Sequence, residues 1–271
     1  MTDQPMTQPA TAQPQPAPAS PSGRGALVVG ASSGIGAAVA RELTRRGYTL
    51  ALVARSEEAL TSLRDEINMS AGDTRARIYM HDVRDYDAAP DLLRQIVTDL
   101  GARTLQMVVY TAGIMPESAQ GDWPFDEERA MLETNTIGAI RWLGLAADLF
   151  KSQGNGTLVG VSSVAGERGR RGNSAYQASK AALTTWLESL RYRLRGSGVR
   201  VVTVKPGYVI TPMTAGLKLP QRATISADEA ARRIVSAAER GRAVAYVPGY
   251  WRPIMWAVRH LPAFVMTRLP V

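Results

Sequence analysis

Ala26-Leu-Val-Val-Gly30-Ala-Ser-Ser-Gly34-Ile-Gly36 sets a short apolar run directly against a glycine-rich turn. Ala26 to Val29 shows no polar alternation, the pattern of a strand buried on both faces of a parallel sheet. Ala37 to Arg46 then carries helical spacing and closes at Gly47. The order is strand, glycine turn, helix. Glycines permit the tight turn and let the backbone approach a pyrophosphate, which the free N–H groups and dipole of the helix start would hold. A glycine triplet alone can be a structural turn; its place between a strand and a helix favours a dinucleotide.

Outward from this unit the same alternation repeats. Strand patterns cover Tyr48 to Ala54, Ala76 to His81, Leu105 to Tyr110, Gly156 to Val161, Val199 to Val204 and Ala243 to Val247. Helical spacing fills Glu57 to Ser70, Asp126 to Gln153, Tyr176 to Arg195 and Ser226 to Arg240, where Ser226 and Glu229 form a capping box. The fold class is therefore α/β: a single Rossmann-type, doubly wound parallel sheet of about seven strands with helices on both faces. Ligands of such sheets bind beyond the strand C-termini, at the switch in strand order.

In this fold an acidic residue ending the second strand binds a ribose 2′-OH, whereas an arginine accommodates a 2′-phosphate. Ala54 stands where the acid would be and Arg55 follows, so NADP(H) is favoured over NAD(H) unless Arg55 merely opens the next helix. Asp82-Val83 ends the third strand, where the aspartate is placed to cap the following helix.

The composition is 45% hydrophobic and 21% charged, that of an ordinary globular core. With no cysteine, disulfides and thiolate metal sites are excluded, and with two histidines a histidine metal site is not expected. Residues 1–23 are rich in Pro, Gln, Thr, Ala and Ser and read as a disordered leader without the apolar stretch of a secretory signal. No apolar run reaches the length needed to span a bilayer, which places the protein in the cytoplasm. The folded domain is expected over 24–249 and a basic tail over 250–271. The net charge is +8, and from Gly241 to Val271 there are four arginines and no acid. No nucleic-acid motif accompanies that charge, so a phosphate group or an anionic membrane surface is the better partner.

A second stretch, Ser162-Ser-Val-Ala-Gly-Glu-Arg-Gly-Arg-Arg-Gly-Asn-Ser-Ala-Tyr-Gln-Ala-Ser-Lys180, places a serine at a strand end and Tyr176 thirteen residues after Ser163. Lys180 follows Tyr176 by four, which puts both on one helix face. A fixed positive charge beside a phenol stabilises the phenolate and lowers its pKa. Tyr176 is thereby a candidate general acid/base, against the plainer reading of an exposed Tyr–Lys pair. The loop Glu167-Arg168-Gly-Arg170-Arg171 is unusually basic, either a solvated charge run or a site for an anionic substrate.

These motifs together resemble the classical short-chain dehydrogenase/reductases over roughly residues 24–250. The resemblance implies hydride transfer between nicotinamide and a carbonyl or secondary alcohol. It assigns catalysis to Asn135, Ser163, Tyr176 and Lys180, although a buried asparagine can also be purely structural. The cofactor would be held by Gly30, Ser32, Ser33, Gly34, Ile35, Gly36, Arg55, Asp82, Val83, Ala112, Gly113, Tyr176, Lys180, Pro206, Gly207, Val209 and Thr211. Thr111 departs from the family's Asn-Asn-Ala-Gly, which puts local rigidity in doubt. The segment Met213 to Ile225 would be a short substrate lid. A homodimer or homotetramer is implied, as is a substrate ranging from small ketones or 3-oxoacyl thioesters to larger carbonyl compounds. A cofactor-sensing regulator on the same fold is the rival reading.

In the tail, Trp251, Met255 and Val258 recur at helical intervals, with Arg252 and Arg259 on another face and a break at Pro262. That composition suits a helix lying in a membrane interface, or a cover over the active-site mouth or a partner subunit. The loop from Ala165 to Arg171 and the chain's ending are similar to those of the decaprenylphosphoryl-2-ketoribose reductases. That likeness implies a lipid-linked keto-sugar and a place at the inner face of the membrane.

Overall fold

A computed structural model describes residues 23–101, 105–116 and 124–268. All but the last residue of the expected leader lies outside them. In chain order the elements are β1 (Gly25–Val29), α1 (Gly34–Arg45), β2 (Thr49–Ala54), α2 (Glu57–Ala71), β3 (Ala76–Met80), α3 (Ala89–Leu100), β4 (Leu105–Tyr110), α4 (Phe125–Leu132), α5 (Gly138–Gln153), β5 (Gly156–Val161), α6 (Ser174–Arg193), β6 (Val199–Pro206), β7 (Tyr208–Ile210), β8 (Thr224–Ser226), α7 (Ala227–Glu239), β9 (Val244–Val247), α8 (Trp251–His260) and α9 (Ala263–Met266).

Seven strands form one parallel sheet in the order β3-β2-β1-β4-β5-β6-β9. The apolar runs are continuous because both faces are covered. Val28, Leu50 and Leu52 pack with Leu43, Leu60 and Ile234, on the side of α1, α2 and α7. Their neighbours Leu27, Val29, Ala51 and Val53 point the other way, to Ile96, Trp142 and Leu187 of α3, α5 and α6. This is the two-residue period of a strand read against two helix layers. Fully buried side chains such as Ile96 and Phe150 contribute about 1.5–3 kcal/mol each. The strand order reverses between β1 and β4, whose C-terminal ends diverge there to open a crevice.

Three expectations are corrected. The helical region read from Asp126 to Gln153 is α4 and α5 joined by a π-helical turn, Glu133–Ile137. The buried Tyr110 hydroxyl donates to the Thr134 carbonyl at 2.6 Å, and Gly138 leaves it room, since a Cβ there would lie 2.6 Å from that oxygen. Asp82 caps no helix: a turn intervenes, and α3 starts only after Ala88. The short lid segment begins in the turn Pro212–Thr214 and returns as β8, which pairs in parallel with β7 as a separate ribbon.

The tail face is the third correction. Trp251, Met255 and Val258, the stripe offered to a membrane, turn inward: Met255 is 4% exposed and the Trp251 indole lies over Gly207, where a Cβ would collide with it. Arg259 also turns inward, its guanidinium 2.9 Å from Glu167. The apolar side chains left outward include Ile254, Trp256 and Phe264. No helix among the described residues is long and apolar enough to cross a membrane.

Candidate active site

The crevice at the ends of β1 and β4 is lined by the glycine turn. Gly30 has φ +92° and a Cβ on it would run into the Ala112 backbone; Gly34 has φ +52°. Gly36 is closed in likewise, against the Gly30 carbonyl. Ser33, the N-cap residue of α1, is extended and makes no side-chain cap hydrogen bond. The first N–H groups of α1 therefore face the crevice unspent, as a pyrophosphate requires. Gly30, Ser32, Ser33, Gly34, Ile35, Gly36, Arg55, Asp82, Val83, Ala112, Gly113 and Thr211 all line it. These residues fit a nicotinamide dinucleotide, which when bound would supply the hydride.

Pro206, Gly207 and Val209 do not line this crevice among the described residues. Gly207 is used to seat Trp251, and Val209 is buried in the β7–β8 ribbon. Asp82 does line it, but Arg84, which the sequence reading missed, grips its carboxylate at 2.7 Å. That bond, with Arg55 farther off at 3.9 Å, holds Asp82 down at about 2 against the opposing effect of burial. Arg55 itself keeps 64% of its side chain exposed. Thr111 answers the doubt about rigidity, because its hydroxyl reaches the carbonyls of Val29 and Gly30 at 2.9 and 3.1 Å and ties the two strand ends together.

Beside the crevice β5 delivers two serines with different fates. Ser162 is consumed by the Lys180 carbonyl and the Thr184 hydroxyl at 2.8 and 2.7 Å. Ser163 accepts from the Ala165 N–H at 3.0 Å, and its hydroxyl lies near enough to the Tyr176 phenol to work against the effect of burial there. Gly166 seats the loop on α6, since a Cβ there would press on the backbone of Lys180 and Ala181. Asn173, in the left-handed region at φ 49°, caps α6 through its side chain and sets where Tyr176 begins the first turn.

Lys180 is 4% exposed, its ammonium 5.7 Å from the Tyr176 ring centre and 3.0 Å from the Val161 carbonyl. Burial without a carboxylate partner pulls it down to about 8. The phenol does not behave as the sequence reading expected. Burial pushes Tyr176 up, and the groups working against that are the Ser163 hydroxyl and the Arg170 charge rather than Lys180.

Asn135, fully buried in the π turn, bonds the Ile114 N–H and carbonyl at 2.8 and 3.0 Å and Ser179 of α6 at 3.0 Å. Gly113 has Asn135 and Lys180 on either side, a Cβ there falling 3.2 Å from the amide oxygen and 3.4 Å from the ammonium. The structure thus brings Asn135, Ser163, Tyr176 and Lys180 to one end of the sheet, next to the crevice. A phenol with a hydroxyl near it and a buried ammonium beside it can pass a proton to an oxygen brought against it. Tyr110, Glu167 and Gln177 were missed. Of these, only Tyr110 carried a signal: a tyrosine ending a buried strand needs a partner for its hydroxyl.

Residues 24–222 match the family model described as short chain dehydrogenase. An uncharacterized oxidoreductase of Myxococcus xanthus is 37% identical over 225 residues, spanning 83% of this chain and 87% of its own length. One of Streptomyces coelicolor is 35% identical over 250 residues, 92% of this chain and 96% of its own. Among solved structures, a short-chain dehydrogenase of Sphingobium yanoikuyae in complex with NADPH superposes with TM-score 0.76 at 25% identity, over 91% of this chain and 96% of that one. A variant actinorhodin polyketide ketoreductase with NADPH gives 0.73 at 25%, over 83% and 95%. The chain belongs to the short-chain dehydrogenase family. It is an oxidoreductase of CH–OH groups that uses a nicotinamide cofactor.

Proposed function

We propose that the protein reduces a carbonyl to a secondary alcohol with NADPH. The observation that carries this reading is the grouping of Tyr176 with Ser163 and the buried Lys180, whose ammonium is 5.7 Å from the ring centre, at the mouth of a crevice built for a dinucleotide. Tyr176 gives its proton to the carbonyl oxygen, Ser163 polarises that oxygen, Lys180 supplies positive charge next to the phenol, and Asn135 holds the backbone around Gly113 in place. Preference for the phosphorylated cofactor is supported by Arg55, exposed at the end of β2 with no acid in the ribose position, and by the NADPH in two structural neighbours. The catalytic unit is expected to be a homo-oligomer. The substrate is amphipathic, of the lipid-linked kind, and is met at an anionic membrane surface through Ile254, Trp256 and Phe264, 44, 64 and 61% exposed in an acid-free tail.

Tyr176→Phe keeps the ring and removes the proton. The variant is expected to bind NADPH normally and to lose about 10²–10⁴-fold in turnover on a panel of ketones, with NADPH outperforming NADH in the wild type. Full turnover by the variant would refute the assignment.

A further inference from the structure

Away from the catalytic end, one edge of the sheet carries charge of a single sign. Between α7 and β9 runs a groove of about 420 Å³ whose charged lining is Arg46, Arg232, Arg233, Arg240 and Arg242, with no acid among them. Arg46 is paired with Glu42 and Glu239, and Arg233 with Glu229. Glu239 also takes Arg24, so the carboxylates at this edge are used up. Arg232, Arg240 and Arg242 are exposed, and their guanidinium groups have no partner among the described residues.

The other wall of the groove is an unfinished sheet. β9 comes last in the strand order and pairs with β6 alone. The Thr203 and Gly207 N–H groups donate to the carbonyls of Ala243 and Val247 at 3.0 and 2.9 Å, so the odd-numbered residues of this stretch face β6. In a parallel ladder the residues between them turn their N–H and carbonyl the other way. These are Val244, 44% exposed, and Tyr246, and no other element among the described residues bonds their main chain.

We propose that this groove takes an acidic, extended segment of a partner protein, added to the sheet beside β9 with its carboxylates on Arg232, Arg240 and Arg242. The open main-chain groups of β9 supply affinity, and the arginines select the sign of the partner. Arg232 and Arg240 lie eight residues apart along α7 and its C-cap, a rise of about 12 Å that about four residues of strand span. Alternate side chains of an added strand share one face, so the segment carries acids at every second position. A second copy of this chain is a poor occupant, because pairing β9 with itself about a two-fold axis sets the unpaired arginines against their own counterparts. Residues 1–22 fit no better, with Asp3 their only charged side chain.

The test is fluorescence anisotropy of a labelled, capped heptapeptide alternating threonine and glutamate, titrated with the full-length NADPH-bound protein at low salt. The wild type is expected to bind it. Arg232→Gln/Arg240→Gln/Arg242→Gln, which changes exposed positions only, should bind at least about tenfold more weakly. Melting temperature, NADPH fluorescence and turnover should be the same in both proteins, since the inference stands apart from the reductase reading. Two N-methylated peptides, one methylated at every glutamate and one at every threonine, separate strand addition from plain charge attraction. The form whose donors are blocked on the β9 side should lose at least about tenfold in affinity and the other should not. No binding by the wild type, equal binding by the triple variant, or equal binding of the two methylated peptides overturns the proposal. Loss of flotation with phosphatidylglycerol vesicles in the triple variant, without any effect on the peptide, assigns the arginines to a membrane surface and overturns it as well.

Discussion

Lys180 shows how a side chain proposed for catalysis can weigh on the fold that holds it. Its ammonium is buried with one carbonyl partner, and burial lowers it from 10.5 to about 8. Below pH 8 the proton is bound in both folded and unfolded chains, so the full cost of the buried charge falls on the folded state. Between pH 8 and 10.5 the unfolded chain holds a proton that the folded one lacks, and stability rises with pH. Above 10.5 the penalty is gone. Lys180→Met lacks it throughout, so its stability relative to wild type should be most favourable at pH 7 and decline by about 3 kcal/mol by pH 10.5. Paired urea melts across that range measure the trend; a difference independent of pH would show that Lys180 is not the group responsible. The choice of Ser163 over Ser162 is supported at the same scale, since the Ser162 hydroxyl is taken up by the Lys180 carbonyl and the Thr184 hydroxyl of α6.

At the scale of elements, the tail is part of the support of the loop that follows Ser163. Glu167, its side chain 3% exposed, joins the loop after Ser163 to β6 through Lys205, to β9 through Tyr246 and to α8 through Arg259. Burial works to raise its carboxyl pKa, but the bonds from Lys205, Arg259 and Tyr246 outweigh that and hold it ionised. Glu167→Gln leaves the Lys205 ammonium, 7% exposed, without its counter-charge and should cost about 3–5 kcal/mol. Arg259→Gln removes only the outer partner, 49% exposed, and should cost no more than about 1 kcal/mol. Hydrogen exchange should then show α8 losing protection while the sheet keeps it. Equal effects of the two changes would mean that the carboxylate is not the hub. The order of costs follows from which charge is stranded away from water.

For the whole molecule, the net charge of +8 and the outward Ile254, Trp256 and Phe264 put an adhesive apolar strip within a basic, acid-free tail. Full-length protein should float with phosphatidylglycerol vesicles at low salt and float less at about 1 M salt, where screening falls to about 3 Å. Trp256→Ser/Phe264→Ser, which touches only exposed positions, should stay at the bottom of the gradient. Wild-type protein that also stays there would remove the membrane from the account. Deleting 250–271 would be the weaker experiment, because it also uncovers Gly207 and takes Arg259 away from Glu167.

Local patterns sufficed for the sheet, the glycine turn and the Ser163–Tyr176–Lys180 spacing, because each is a short-range signal: alternation on a strand, absent Cβ atoms at a turn, one helical turn between two side chains. They did not yield the π turn, whose Thr134 carbonyl accepts from Tyr110 at the end of β4, far away in sequence. Nor did they reveal which way the tail helix faces. Helical spacing places Trp251, Met255 and Val258 on one side, but an apolar stripe fits a bilayer and a protein surface equally well. The shape of Gly207 and the charge on Glu167, far away in sequence, turned that stripe inward. The phenol is the same case: sequence puts Lys180 beside Tyr176, and only the fold sets how deeply the ring is buried, so that desolvation outweighs the nearby charges.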